Sequence, residues 1–216
     1  MNAPAEIIFI SGIDTDAGKS YATGYIAKNL ASQGKKVITQ KFIQTGCCDT
    51  SEDIELHRRI QGITATPEDI AHTTAPVIFH YPASAQLAAR LDGKEIDLGI
   101  IDNATRNLAE THDVVLIEGA GGLMVPITDS FTTIDYVSSR QLPIALVTNG
   151  RLGSINHTLL SLEAIAHRGL HLKWLIYNEY FDTDAVISQD TRGFISRYIA
   201  THFPSTEIIT IPSINI

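Results

Sequence analysis

Cysteine is nearly absent: the only two residues, Cys47 and Cys48, are adjacent. Without a second pair there is no disulfide framework and no four-ligand zinc site. Long apolar runs are also missing, and no segment approaches the ~20 residues that a membrane-spanning helix requires. The opening Met1-Asn2-Ala3-Pro4-Ala5-Glu6 has no basic stretch, and Ile7-Ile8-Phe9-Ile10 is too short for a signal sequence. Positive charge is in deficit, with 16 Lys+Arg against 24 Asp+Glu and a formal net charge of −8. Nucleic acids and anionic membranes need clustered Lys and Arg, so neither is an expected partner. These absences predict a cytoplasmic protein that acts on small solutes.

What is present is an ordinary globular composition, 44% hydrophobic and 19% charged, at a length of 216 residues that suits one domain spanning 1–216. Short β-branched runs alternate with longer amphipathic stretches. Strands are expected at Ile7–Ile10, Val37–Thr39, Val114–Ile117, Ile144–Val147, Trp174–Tyr177 and Ile208–Ile211. Their continuous apolarity is the mark of strands covered on both faces. Helices are expected over Ser20–Ala31 and Thr158–Ala166, and near Asp97–Ala109, Thr133–Arg140 and Gln189–Thr201. The alternation predicts an α/β fold: a doubly wound, mostly parallel sheet flanked by helices, with ligands at the carboxyl ends of the strands. Thr64–Pro82 has no clear period and reads as an excursion over the sheet.

The residues following the strands carry the chemistry. After the first strand, Gly12-Ile13-Asp14-Thr15-Asp16-Ala17-Gly18-Lys19-Ser20 leads into a helix. A glycine, a bend and Gly-Lys-Ser at a helix start form a phosphate loop: Gly18 lets amides close on phosphate, Lys19 reaches its oxygens, and Ser20 offers a hydroxyl to Mg²⁺. The spacing departs by one residue from G-x-x-x-x-G-K-[ST], as Ile13 stands where the first glycine belongs. Lys41, leaving the second strand, reads either as added charge for phosphoryl transfer or as a solvated strand end. Asp53 reads as a first-turn acid or a Mg²⁺ ligand. Glu118 precedes Gly119-Ala120-Gly121-Gly122 and fits a Walker-B acid or an incidental one. The amides near Gly153-Ser154-Ile155-Asn156 suit a carboxylate, unless Ser154 or Asn156 caps them. Asn178 reads as a purine-reading amide or a surface turn. The histidines read as core or surface residues and Cys47 and Cys48 as incidental thiols.

Together these pieces resemble the dethiobiotin synthetase family, a branch of the P-loop NTPase-like superfamily. Gly12–Ser20 is similar to its G-T-D-T-x-V-G-K-[TS] loop, including the unusual spacing. Lys41–Gly46 resembles K-P-[IV]-x-[ST]-G, with Phe42 in place of Pro. Ile117–Gly122 resembles V-E-G-A-G-G, and Leu152–His157 resembles L-G-x-I-N-H. The resemblance covers nearly the whole chain. It implies a ligase of biotin biosynthesis that uses ATP and Mg²⁺ to join CO₂ or bicarbonate to 7,8-diaminononanoate. Lys41 and Lys19 would be catalytic. Asp16, Ala17, Gly18, Lys19, Ser20 and Tyr21 would hold ATP, as would Asp53, Glu118, Gly119, Ala120, Gly121, Asn178 and Pro212. Ser20, Asp53 and Glu118 would form the metal environment. Thr15, Lys41 and Thr45 would line the diamine, and Gly153, Ser154, Ile155 and Asn156 would receive its carboxylate across a homodimer.

A different class shares the fold: switch ATPases of the partitioning or cell-division kind, which gate dimerisation with nucleotide. They carry an additional lysine near the start of the loop, where Gly12, Ile13 and Asp14 supply none. Amidating ligases of the cobyrinate kind usually add a glutaminase domain, for which this length leaves no room.

Overall fold

A computed structural model describes residues 4–213, so Met1, Asn2 and Ala3 of the opening stretch lie outside the described residues. All six expected strands form and join one sheet: β1 (Glu6–Gly12), β2 (Val37–Lys41), β3 (Val114–Gly122), β4 (Ile144–Asn149), β5 (Leu172–Asn178) and β6 (Glu207–Ile211). Their order is β6-β5-β4-β1-β3-β2, with every pairing parallel. β1 therefore lies centrally, with β3 on one side and β4 on the other, and the chain leaves it at a switch in strand order, where ligand crevices open.

Successive residues of a strand face opposite sides, and the core divides accordingly. Phe9, Val115, Ile117 and Leu146 pack on one side with Phe42, Ile101 and Leu162. Ile8, Ile10, Leu116 and Val147 pack on the other with Ala22 and Ile26. The helices that cover these faces are α1 (Lys19–Ser32), α2 (Glu52–Gln61), α3 (Leu98–Thr111), α4 (Thr133–Ser139), α5 (Ser154–His167) and α6 (Ala185–His202). α5 begins at Ser154, earlier than the apolar period indicated, because Gly153 adopts a left-handed φ of 90° and turns the chain into it.

The excursion expected over Thr64–Pro82 contains structure that its lack of period concealed. Pro67–Ile70 is one helical turn closed by a capping box between Thr66 and Asp69. Ile78–Phe79 pairs in parallel with Gln44–Thr45, and a further short helix spans Ala85–Leu91. Among the described residues no helix is long and apolar enough to cross a membrane.

Candidate active site

The turn after β1 is built around Gly18, which sits at φ 89° as the N-cap of α1. A Cβ there would lie 2.0 Å from Asn178 Nδ2, so glycine is required both for the backbone and for the close approach. Lys19 closes the turn by donating from Nζ to the carbonyls of Asp14 and Thr15 at 3.0 and 2.9 Å. Burial lowers its ammonium to about 8, while Glu118 and Asp53 resist the shift and Lys41 adds to it.

Ser20, in the first turn of α1, faces two acids that lie far away in the sequence. Its hydroxyl is 2.6 Å from Asp53 Oδ1 and 2.9 Å from Glu118 Oε1. Glu118 arrives on β3, where four apolar residues give way to a fully buried carboxylate. The parallel register sets Lys41 of β2 directly opposite it. Lys41 Nζ donates to Glu118 Oε1 at 2.7 Å and also pairs with Asp53. At 5% exposure Lys41 is no solvated strand end. Burial works against its ammonium, yet Glu118 and Asp53 outweigh that and raise it. Burial would likewise raise the Glu118 carboxyl, but Lys41 and His57 hold it well below the usual carboxylate range.

Two neighbours fix the direction of Lys41. Phe42, which stands where the similar motif has proline, is buried edge-on against Phe9 with ring centroids 5.5 Å apart and lies tilted against the Tyr136 ring at 4.6 Å. Its N–H, which proline lacks, donates to the Glu118 carbonyl at 2.8 Å. Asp53 lies in the first turn of α2, whose N-cap Ser51 accepts from the Ile54 amide at 3.2 Å and donates to Gln44 Oε1 at 2.5 Å.

Four residues along α2, one helical turn from Asp53, stands His57, which the sequence reading placed with the core or surface histidines. It is fully buried, as a core residue would be, but its Nε2 lies 2.6 Å from Glu118 Oε2. An Asp-x-x-x-His spacing on one helical face was the signal that could have found it.

Thr15, Asp16, Gly18, Lys19, Ser20 and Tyr21 line one side of a cavity of about 330 Å³; Asn178, Tyr180, Phe181 and Arg151 line another. The Arg151 guanidinium lies over the Phe181 ring at 3.7 Å. Asn178 is buried at 2% exposure, which removes the surface-turn reading. Its Nδ2 donates to the Ala17 carbonyl at 3.3 Å and its Oδ1 accepts from the Tyr180 amide at 3.1 Å, each leaving further hydrogen-bonding capacity. Ala17 is buried beneath the loop, and Gly121, at φ 69°, lies beside Thr15. Gly119 packs so tightly on the Phe9 ring that a Cβ would come within 2.9 Å of it. Ala120 is half-buried on the same strand.

Other expected residues stand apart. Pro212 is exposed after β6 and does not line the cavity. Thr45 is half-buried in its two-residue strand, Cys48 is exposed, and burial pushes the Cys47 thiol up. Gly153, Ile155 and Asn156 lie outside the cavity around Lys19, at the start of α5. Ser154 does not cap that helix; its hydroxyl donates to Asn149 Oδ1 at 2.5 Å, and no side chain caps the first-turn amides.

Two carboxylates and a hydroxyl make an all-oxygen donor set of the kind Mg²⁺ accepts when phosphate and water complete its shell. Among the described residues no three His, Cys, Asp or Glu side chains gather into a metal-holding group.

A family model described as an AAA domain matches residues 6–212. ATP-dependent dethiobiotin synthetase BioD 2 of Pasteurella multocida is 50% identical over 202 residues, covering 94% of this chain and 95% of that protein. Its namesake in Haemophilus ducreyi is 48% identical over 206 residues, covering 95% and 98%. ATP-dependent dethiobiotin synthetase BioD of Chlorobaculum tepidum is 47% identical over 191 residues, covering 88% and 80%. Among solved structures, chloroplast FtsY from Physcomitrella patens superposes with a TM-score of 0.55 at 16% identity, over all of this chain and 60% of that one. That likeness is one of fold alone.

Proposed function

Because the chain belongs to the family of ATP-dependent dethiobiotin synthetases, enzymes of the ligase class, we propose that it uses ATP to close a ureido ring on 7,8-diaminononanoate in biotin biosynthesis. The observation that carries this reading is the convergence of Lys19, Ser20, Lys41, Asp53 and Glu118 at the carboxyl ends of three neighbouring strands.

In the reaction, one amine adds to CO₂ and loses a proton to give a carbamate. A carbamate oxygen then attacks the γ-phosphorus of ATP, ADP leaves, and a carbamic-phosphoric anhydride forms. The second amine attacks the anhydride carbonyl, phosphate departs, and a further proton is lost as the ring closes. Protein groups contribute charge and position. Lys19 and the amides around Gly18 bind the β- and γ-phosphates, and Lys41 stabilises charge that develops on the transferred phosphoryl group. Ser20, Asp53 and Glu118 would hold Mg²⁺, which supplies positive charge to the phosphate oxygens. The cavity beside Asn178 and Tyr180 takes the nucleoside.

A flexible diamine must be held at both ends to react quickly. Thr15, Lys41 and Thr45 line its amines. The uncapped amides of Gly153 to Asn156, contributed by a second copy of the chain, receive its carboxylate. The functional unit is accordingly a homodimer.

Purified protein given Mg-ATP, bicarbonate and 7,8-diaminononanoate should release phosphate and form dethiobiotin, which mass spectrometry detects. Hydrolysis at the same rate without the diamine, and no ureido product, would sink the proposal and favour a nucleotide switch.

A further inference from the structure

His57 has no part in the chemistry described above, yet it is tied to the centre of the site. The imidazole is fully buried, and both of its nitrogens are engaged. Nε2 lies 2.6 Å from Glu118 Oε2, and Nδ1 lies 3.0 Å from Thr39 Oγ1.

Counting donors gives these contacts a direction. An ionised carboxylate only accepts, so Nε2 carries the hydrogen shared with Glu118. Thr39 Oγ1, in contact with Nδ1, also accepts from Arg58 Nη1 at 2.8 Å. Arg58 is itself fixed by Asp69, donating from Nε at 2.8 Å and Nη2 at 2.7 Å. A continuous series of contacts runs from Arg58 through Thr39 and His57 to Glu118 Oε2. The carboxylate's other oxygen, Oε1, faces Ser20 Oγ at 2.9 Å and Lys41 Nζ at 2.7 Å.

We propose that His57 is a positioning residue: by occupying Oε2 it fixes the plane of the Glu118 carboxylate, so that Oε1 is the oxygen presented to Ser20, Lys41 and the divalent ion. The inference rests on the assignment of Ser20, Asp53 and Glu118 to Mg²⁺ made above. Partners that orient a metal-ligating group typically change metal affinity by about 10–100-fold when removed. A histidine that merely fills the core would affect folding and leave that affinity alone.

The test measures Mn²⁺ binding in the presence of ADP by electron paramagnetic resonance, together with kcat, KM for ATP and Tm, in His57→Leu and His57→Gln. His57→Leu is expected to weaken Mn²⁺ binding about 10–100-fold and to lower kcat. His57→Gln, whose amide can still donate to Glu118, is expected to recover most of the affinity. A lowered Tm with unchanged Mn²⁺ affinity in His57→Leu would overturn the proposal, as would a His57→Gln protein that folds but binds Mn²⁺ no better than His57→Leu. Should His57→Leu not fold, His57→Gln is compared with Thr39→Val, which removes the hydroxyl that holds Nδ1. The proposal then requires weaker Mn²⁺ binding in Thr39→Val than in His57→Gln, and equal, undiminished binding in both refutes it. Asp53→Asn and Glu118→Gln separate the two levels of inference. If both retain full Mn²⁺ affinity, the metal assignment fails and takes the proposal with it. If both lose affinity while His57→Leu keeps it, only the positioning role fails.

Discussion

Replacing Lys41 with methionine keeps the length of the side chain and removes its charge, which makes two consequences separable. Lys41 is 5% exposed and holds Glu118, which is fully buried, at 2.7 Å. Removing one member of a buried ion pair costs about 3–5 kcal/mol because the remaining charge is stranded. Glu118 would retain hydrogen bonds from Ser20 and His57, and Asp53 keeps access to water, so the lower figure of about 3 kcal/mol applies. At about 2–4 °C per kcal/mol for a domain of this size, calorimetry should show Tm falling by about 6–12 °C. Loss of a single preorganised electrostatic group typically lowers kcat about 10²–10³-fold. The double variant Lys41→Met with Glu118→Gln removes the stranded charge along with its partner. It is expected to be more stable than Lys41→Met while forming no more dethiobiotin. An unchanged Tm in Lys41→Met, or a double variant whose stability loss equals the sum of the two single losses, would refute the reasoning.

Two further substitutions probe the frame around that pair. Gly18→Ala places a Cβ 2.0 Å from Asn178 Nδ2 at a left-handed backbone, so ADP affinity measured by calorimetry should fall at least about tenfold while the strands remain folded; full affinity would contradict the loop's assigned role. Asp69 gives a test in acid. Burial would raise its carboxyl, but hydrogen bonds from Arg58, the Thr66 amide and Thr74 hold it below the usual value of 3.8. A carboxyl lowered on folding stabilises the protein above its unfolded value, and that stability is lost as pH falls through the folded value. Asp69→Asn should therefore cost about 3 kcal/mol near neutral pH, and the gap from wild type should narrow below pH of about 3.8. Parallel Tm curves across that range would refute the assignment.

The sheet was legible because the runs of its inner strands are buried on both faces and read as apolar, while the edge strand β6, largely exposed on one side, was still marked by its β-branched residues. Glu118 announced itself by the same rule, as the first charge after Val114-Val115-Leu116-Ile117. The helix α2 escaped a reading of this kind beyond its start. Its inward face buries His57 and Arg58 beside Ile54 and Ile60, so the hydrophobic stripe that identifies a helix is interrupted by polar side chains that reach toward Glu118 and Thr39. Gln44–Thr45 and Ile78–Phe79 are each two residues long, and their pairing joins segments far apart in the chain, so neither carries a period of its own. The opposed positions of Lys41 and Glu118 follow from register between β2 and β3, which no local pattern encodes.

That register also bears on why the charges are there. A buried ion pair is a poor source of stability, since apolar residues of similar volume at the same positions commonly do as well or better. Nothing in the packing of this sheet demands a lysine and a glutamate at adjoining strand ends, or a histidine behind the glutamate. Stability alone would favour an apolar residue in place of Lys41 and one more apolar residue after Ile117 on β3. The chain instead directs the amide of Phe42, the hydroxyl of Ser20 and the imidazole of His57 onto Glu118, satisfying both carboxylate oxygens and its backbone carbonyl. An arrangement so fully hydrogen-bonded keeps the carboxylate ionised and aimed without help from solvent. On the proposed function, that is the preorganisation phosphoryl transfer requires, and it would account for polar residues at positions where burial alone would select against them.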